Sequence, residues 1–349
     1  MRKTVLAMLS VAGATILAPL PALAWDYPGH RIVGAIADLV LQQHYPHTRK
    51  KVSALLDIKD TGGTVIDKRS LSEVAVFPDC AKDEEEYCRR RPSAEEIAYV
   101  LRNLGHKSYH YTNSPLGENL YKPRGVGTAD NDVVQMMKHA IRQLQKERVS
   151  KFEVNLTNTE ALWLLAHLVG DLHQPLHISQ IYYDKTCQNS VNPNEPANRD
   201  ALTTLGGNLI KFAPTAPAVS PAPSLHIYWD ATTIARAMHA AGRAGDEEGF
   251  ARMLAAAPPV GQTAGAPDTW AEQWVAEAIP IARKAYADAN IVGKLDSGRC
   301  SWTVTLDENY ENWAQKAASE QLAKAGFRLA ALLVAIFPNK EEATSPPPP

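Results

Sequence analysis

Residues 167–177 read His-Leu-Val-Gly-Asp-Leu-His-Gln-Pro-Leu-His, which puts three imidazoles and a carboxylate into an otherwise apolar helical run. Burying so many polar groups is unfavourable unless each finds a partner. His167 and Asp171 are four apart and share a helix face, and Pro175 redirects the chain before His177. One His-x-x-x-Asp pair is an ordinary helix contact. The spacing recurs at His226 and Asp230, in Leu-His-Ile-Tyr-Trp-Asp, again among aromatic and aliphatic residues. Imidazole and carboxylate donors in dry surroundings suit zinc, whereas calcium and magnesium take all-oxygen shells. Two such pairs predict a site for more than one ion.

Apolar residues at spacings of three and four predict helices over 30–43, 130–147, 157–172, 225–241, 271–288 and 309–337, with few strand signals. The expected fold class is all-α, a single mainly helical domain. Thr157 and Glu160 form a capping-box pattern that starts the helix carrying His167 and Asp171. Residues 184–224, rich in Asn, Pro, Thr and Ser, predict a long ordered loop beside the site, with Gly206-Gly207-Asn208 inside it.

Arg2 and Lys3 precede an apolar run from Val5 to about Leu17, and Ala22-Leu23-Ala24 supplies a small-x-small ending. This is the pattern of a secretory signal peptide over 1–24 and predicts a mature chain of about 325 residues starting at Trp25. The expected location is secreted or periplasmic, with no membrane span after cleavage. Cleavage frees the amine of Trp25, which with its carbonyl can chelate a metal, five residues before His30 in Trp-Asp-Tyr-Pro-Gly-His.

With Trp-x-x-x-Gly-His, Gly-Asp-Leu-His-Gln-Pro-Leu-His, His-x-x-Trp-Asp and a late Ala-Gly-Phe-Arg-Leu-Ala in that order, the chain resembles the secreted trinuclear-zinc nucleases. These include the fungal single-strand-specific nucleases and plant bifunctional nucleases, of the phospholipase C/nuclease fold. The resemblance spans nearly the whole mature chain and implies a nuclease domain over 25–338, followed by a disordered Pro-rich tail over 339–349. It implies three Zn²⁺ per chain: one on Asp79, His110, His167 and Asp171, a second on His177, His226 and Asp230, and a third on Trp25, His30 and a bridging Asp171. Asp79 would also orient or deprotonate the attacking water. The implied substrates are single-stranded RNA and DNA, cut to 5′-phosphate products, and 3′-nucleotides; no stable protein partner is implied.

Two departures qualify the match. About thirty residues separate Asp79 from His110, more than the family usually has, which suggests an insertion holding Cys80, the charge run Lys82–Glu86, Cys88 and Arg89–Arg91. We read it as a solvated surface loop, with Asp83 as the alternative ligand to Asp79. Asn113 stands where fungal relatives have an aspartate that touches the base, so Asn113 is a candidate substrate contact and base preference does not transfer. Tyr111, Tyr182 and Tyr183 are candidates to stack a base, each equally suited to packing.

Zinc lowers the pKa of bound water to about 7, so a metal-bridging hydroxide is the expected nucleophile, attacking phosphorus in line. Without Arg2 and Lys3, 34 basic residues face 38 acidic ones, a formal net charge of −4, which is unlike a basic nucleic-acid-binding surface. Three zinc ions against Asp79, Asp171 and Asp230 leave a local charge of about +3, so binding is expected to centre on one phosphate.

Four cysteines in an exported chain suggest two disulfides from three possible pairings; we favour Cys80 with Cys88 and Cys187 with Cys300. His44, His47, His106, His139 and His239 lack partners at ligand spacing and are expected in surface or capping roles; His173 is turned away from His167 and is expected to be structural. Two competing functions remain. A zinc-dependent phospholipase C shares the N-terminal tryptophan and ligand order, although its last helical pair ends in glutamate where this chain has Asp230. A noncatalytic exported zinc-binding protein would close every coordination shell, whereas three ligands on the second zinc leave an open position.

Overall fold

One helix, Asn158–His173, organises the molecule, because every residue from Glu160 to His173 is buried. The computed structural model describes residues 25–59, 65–83, 93–146, 155–213, 223–258 and 261–339. The signal-peptide segment, Cys88 with the following arginines, and residues 340–349 of the tail lie outside them.

In chain order the helices are α1 (Tyr27–His44), α2 (Pro46–Leu56), α3 (Leu71–Val74), α4 (Phe77–Asp83), α5 (Ala94–Arg102), α6 (Val133–Leu144), α7 (Asn158–His173), α8 (Pro175–Ile178), α9 (Leu225–Ile227), α10 (Thr233–Ala240), α11 (Glu247–Ala255), α12 (Trp270–Ala287) and α13 (Glu308–Ile336). The predicted fold class holds: the described chain is mainly helical, with a few short strands. Five of the six predicted helices are present within a few residues of their expected ends. The capping box of α7 forms as read, with the Thr157 hydroxyl accepting from Glu160 N–H at 3.1 Å and the Glu160 carboxylate accepting from Thr157 N–H at 2.7 Å. Its far end is set by proline: Gln174 is extended (φ −84°, ψ 115°) before Pro175, as a residue preceding proline prefers.

Two features depart from expectation. The predicted 225–241 helix is interrupted by a π turn, Tyr228–Thr232, between α9 and α10, and this turn carries Asp230. The stretch before α13 folds into a hairpin, Asn290–Asp296 against Arg299–Thr305, that the sequence reading did not anticipate. Its two-residue turn, Ser297-Gly298, has φ of +49° and +78°, both positive as a tight hairpin turn requires. A short parallel strand, Ile210–Phe212 of the long loop, completes a three-stranded sheet.

The buried apolar residues form two clusters. The larger is built mainly from α1, α2, α3, α6, α7, α10, α11, the first part of α12 and the C-terminal part of α13. The smaller is aromatic, with Tyr183, Tyr228, Trp229, Tyr286, Trp302 and Tyr310. Cys187 and Cys300 are disulfide-bonded and pin the long loop to the hairpin, as favoured from sequence. Cys80 is disulfide-bonded too, while Cys88, the partner expected for it, lies outside the described residues. Among the described residues no helix is long and apolar enough to cross a membrane.

Candidate metal centre

Eight of the nine residues expected to bind metal send side chains to the junction of the two clusters. Three groups of donor atoms lie each within 4.8 Å: Asp79, His110 and His167; His30, His167 and Asp171; and His177, His226 and Asp230. In the first, His110 Nδ1 is 2.9 Å from His167 Nε2 and 3.5 Å from Asp79 Oδ1. Asp171 stands between groups: its Oδ2 is 3.1 Å from His167 Nε2 and 3.2 Å from His110 Nδ1, while its Oδ1 is 3.4 Å from His30 Nε2 and 3.7 Å from His177 Nδ1. In the last group Asp230 reaches His226 Nε2 at 3.3 Å and His177 Nε2 at 3.6 Å.

Trp25 enters differently. Its side chain is fully buried, with the indole Nε1 donating to the Gly170 carbonyl at 2.7 Å. The next residue, Asp26, donates its backbone N–H to the Asp230 carbonyl at 2.9 Å. Gly170 makes this approach possible, because a Cβ there would lie 2.9 Å from His30 Nδ1 and 3.7 Å from Trp25 Cδ1. The side chain of Asp83, the alternative to Asp79, lies outside the described residues.

The donor set fits a cation. His30 Nδ1 and Nε2, Asp79 Oδ2, Asp171 Oδ1, His177 Nε2 and Asp230 Oδ2 are all buried with no hydrogen-bond partner. So dense a cluster of unpaired polar atoms is strongly unfavourable by itself. Three rings are also held with one nitrogen facing inward, because His167, His177 and His226 direct Nδ1 to the carbonyls of Ala75 (2.6 Å), His110 (2.9 Å) and Gly206 (2.8 Å). Such outer partners leave the Nε2 lone pair free for a ligand.

Electrostatics favour the ligating protonation state at His110, His30, His226, Asp171 and Asp79. Burial, then the Lys82 charge, pushes the His110 imidazole down to about 3. Burial lowers His30 and His226 as well. Burial would raise the Asp171 carboxyl, but the imidazoles of His167, His110 and His30 hold it well below the usual range. Asp79 is likewise held low against burial, first by Lys82. His167 and His177 are pulled up instead, against burial, by the neighbouring carboxylates.

A cavity of about 360 Å³ opens over the first and last groups, walled by Lys82, Lys107, Tyr111, Asn113, Leu205 and Asn208 together with His110, His177 and His226. Lys82 corrects the sequence reading: it is not part of a solvated loop, since its Nζ lies 2.8 Å from Asp79 Oδ1 and its side chain is 13% exposed. Its position three residues after Asp79 on one helix was the available signal. Of the candidate stacking residues, Tyr111 is 41% exposed on the cavity wall. Tyr182 and Tyr183 are buried packing residues, the first donating to the Asn113 carbonyl at 2.9 Å and the second stacked on Trp302.

The other histidines stay outside. His173 bonds Val169 O and Arg328 and packs on Trp274, a structural role as expected. His44 and His239 are exposed, but His106 is buried edge-on to Tyr99, which corrects its expected surface placement.

The S1/P1 Nuclease family matches residues 25–338, nearly the whole chain and every residue of the centre. The chain belongs to the S1/P1 nuclease family. No curated protein matches it. Membership makes this S1/P1 nuclease a hydrolase of phosphodiester bonds in nucleic acid, and its clustered histidines and aspartates suit the metal dependence of the family.

Proposed function

We propose that this S1/P1 nuclease is a zinc-dependent phosphodiesterase that cuts single-stranded RNA and DNA to 5′-phosphate products and acts on 3′-nucleotides as a 3′-nucleotidase. The observation that carries the reading is the set of buried, unpartnered nitrogen and oxygen atoms gathered beneath one cavity. Asp79, His110, His167 and Asp171 would hold one zinc, His177, His226 and Asp230 a second, and His30, Asp171 and the main chain of Trp25 a third. Zinc bound there lowers the pKa of coordinated water to about 7 and polarises a phosphoryl oxygen.

The chain's own groups supply the rest. The second group offers three donors, which suits a catalytic rather than a closed structural shell. Lys82 brings a positive charge to the cavity beside Asp79, placed to draw in a phosphate oxygen. Asp79 Oδ2 has no hydrogen-bond donor of its own and is the atom to orient or accept a proton from water. Tyr111 offers an aromatic face to an unpaired base, an interaction worth about 1–3 kcal/mol. Asn113 lies on the same wall as a base contact. Duplex bases already stack on one another, so a single strand is the better substrate for such a surface.

The proposal includes export with removal of residues 1–24, freeing the Trp25 amine, and a catalytic domain over 25–338. Elemental analysis of the purified mature protein should find about three zinc ions per chain, and N-terminal sequencing should begin at Trp25. Side-by-side assays should show cleavage of single-stranded DNA and RNA in preference to duplex, with loss of activity on chelation and no turnover of phosphatidylcholine. Full activity in a zinc-free chain, or lipid hydrolysis without nuclease activity, would overturn the reading.

A further inference from the structure

Gln180 is a buried amide, 1% exposed, that takes no part in the proposed chemistry. It lies three residues after His177, in the strand Ser179–Gln180 that runs beside Ser114–Pro115. Its Oε1 accepts two hydrogen bonds, from the Gly206 N–H at 2.9 Å and from the Thr203 hydroxyl at 2.9 Å. Gly206 in turn accepts the Nδ1 proton of His226 on its carbonyl at 2.8 Å.

The turn between them has little room to move. Gly206 has φ +62°, in the left-handed region, and a Cβ at this position would lie 2.9 Å from Leu176 O and 3.3 Å from His226 Nδ1. The same turn forms the cavity wall through Leu205, Gly206 and Asn208. The other two inward-facing rings are held by segments of a different kind: Ala75 caps α3, and the His110 carbonyl belongs to the segment whose Thr112 N–H bonds back to His177 O. His226 alone of the three is held by the long loop, and the side chain that fixes the holding residue is Gln180.

We infer that Gln180 is a positioning residue: by clamping the Gly206 turn it fixes the ring of His226 and sets the zinc affinity of the His177, His226 and Asp230 group, without touching an ion itself. The inference deepens the proposed function and rests on it. Outer partners of metal-binding histidines typically contribute about 10–100-fold to affinity.

The test is a zinc titration of metal-stripped, full-length mature protein against a competing chelator, with zinc alone as probe. Gln180→Leu removes the acceptor and should weaken one of the bound ions by about 10-fold, the lower end of the range for a direct outer partner because Gln180 acts on His226 only through Gly206, while the others keep their wild-type affinity. Gln180→Glu keeps acceptor oxygens and should restore the affinity. Thr204→Val is the control, because it severs the neighbouring Thr204 to Ile181 bond of the same loop without removing a bond to Gly206; it should leave all affinities unchanged. Where Gln180→Leu does not fold, Gln180→Asn withdraws the amide by one methylene and should give the same selective loss. Wild-type affinities in the folded Leu or Asn variant would overturn the inference. Equal weakening by Thr204→Val would also overturn it, since that marks general loosening of the loop. A wild-type chain that takes up no zinc sinks the proposed function together with this inference, and that arm of the titration is read independently of the variants.

Discussion

The two buried clusters are made in different ways, and the centre lies where they meet. The larger is aliphatic and helical: α7 is enclosed by α1, α6, α12 and α13, and its ligands His167 and Asp171 project from a buried, capped helix. The smaller is aromatic, built on short strands, a π turn, a long loop and the Cys187–Cys300 bond. The larger therefore places its donors by helix geometry. The smaller places His226 and Asp230 by specific side-chain bonds, such as Gln174 to the Asp230 carboxylate at 2.5 Å and Trp229 to the Tyr310 hydroxyl at 2.9 Å. Rigidity comes from packing on one side and from polar links on the other.

The sharpest way to break this contrast is Asp171→Asn, because Asp171 faces His110 and His167 through one oxygen and His30 and His177 through the other. Activity on single-stranded DNA should fall by at least about 100-fold, the upper end of what loss of a mere outer partner of a metal ligand costs. More than one zinc should be lost in elemental analysis. Loss of a single ion, with most of the activity kept, would show that the two sides are independent.

A smaller effect should come from the aromatic side alone. Replacing both Cys187 and Cys300 by Ala opens a link between residues 113 apart in sequence, and such links contribute about 2–4 kcal/mol. Hydrogen exchange should quicken in the 290–305 hairpin and the 184–213 loop while α7 stays protected. Uniform quickening would mean that the two regions unfold as one unit.

The smallest effect tests the helical side. Burial pushes the Asp38 carboxyl up to about 6 from its ordinary 3.8. The folded chain therefore keeps this proton between roughly pH 4 and pH 6, where the unfolded chain releases it, and stability falls as pH rises through that window. Asp38→Asn removes the penalty while its side-chain oxygen can still accept from Ser72 N–H. The gain should be about 1–2 kcal/mol at pH 7 after allowing for partial exposure, read as a raised melting temperature with unchanged zinc content. No gain at pH 7 would show that the site is adequately solvated.

The helical side was readable in sequence because its signals are periodic: His167 and Asp171 at a four-residue spacing, Thr157 with Glu160, and Pro175 as a stop. The donors of the aromatic side were also visible, through the same spacing at His226 and Asp230. What supports them was not. Gln180 and Gln174 act through contacts distant in sequence, and a lone glutamine carries no periodicity. Lys82 was masked by the charge run it begins, although its distance from Asp79 held the clue. The Ser297-Gly298 hairpin turn is signalled only by a dipeptide, which is weak beside the long helical periodicity of α13.

α13 begins in the aromatic cluster at Tyr310 and ends in the aliphatic one at Ile336. At 1.5 Å per residue its 29 residues make a beam of about 44 Å. Close-packed interiors pass strain along instead of absorbing it, so an oversized side chain near Leu332 would be felt along a strut that both clusters share. Selection for activity in such a molecule would reach residues that never meet a nucleotide, through the alignment of a single strut.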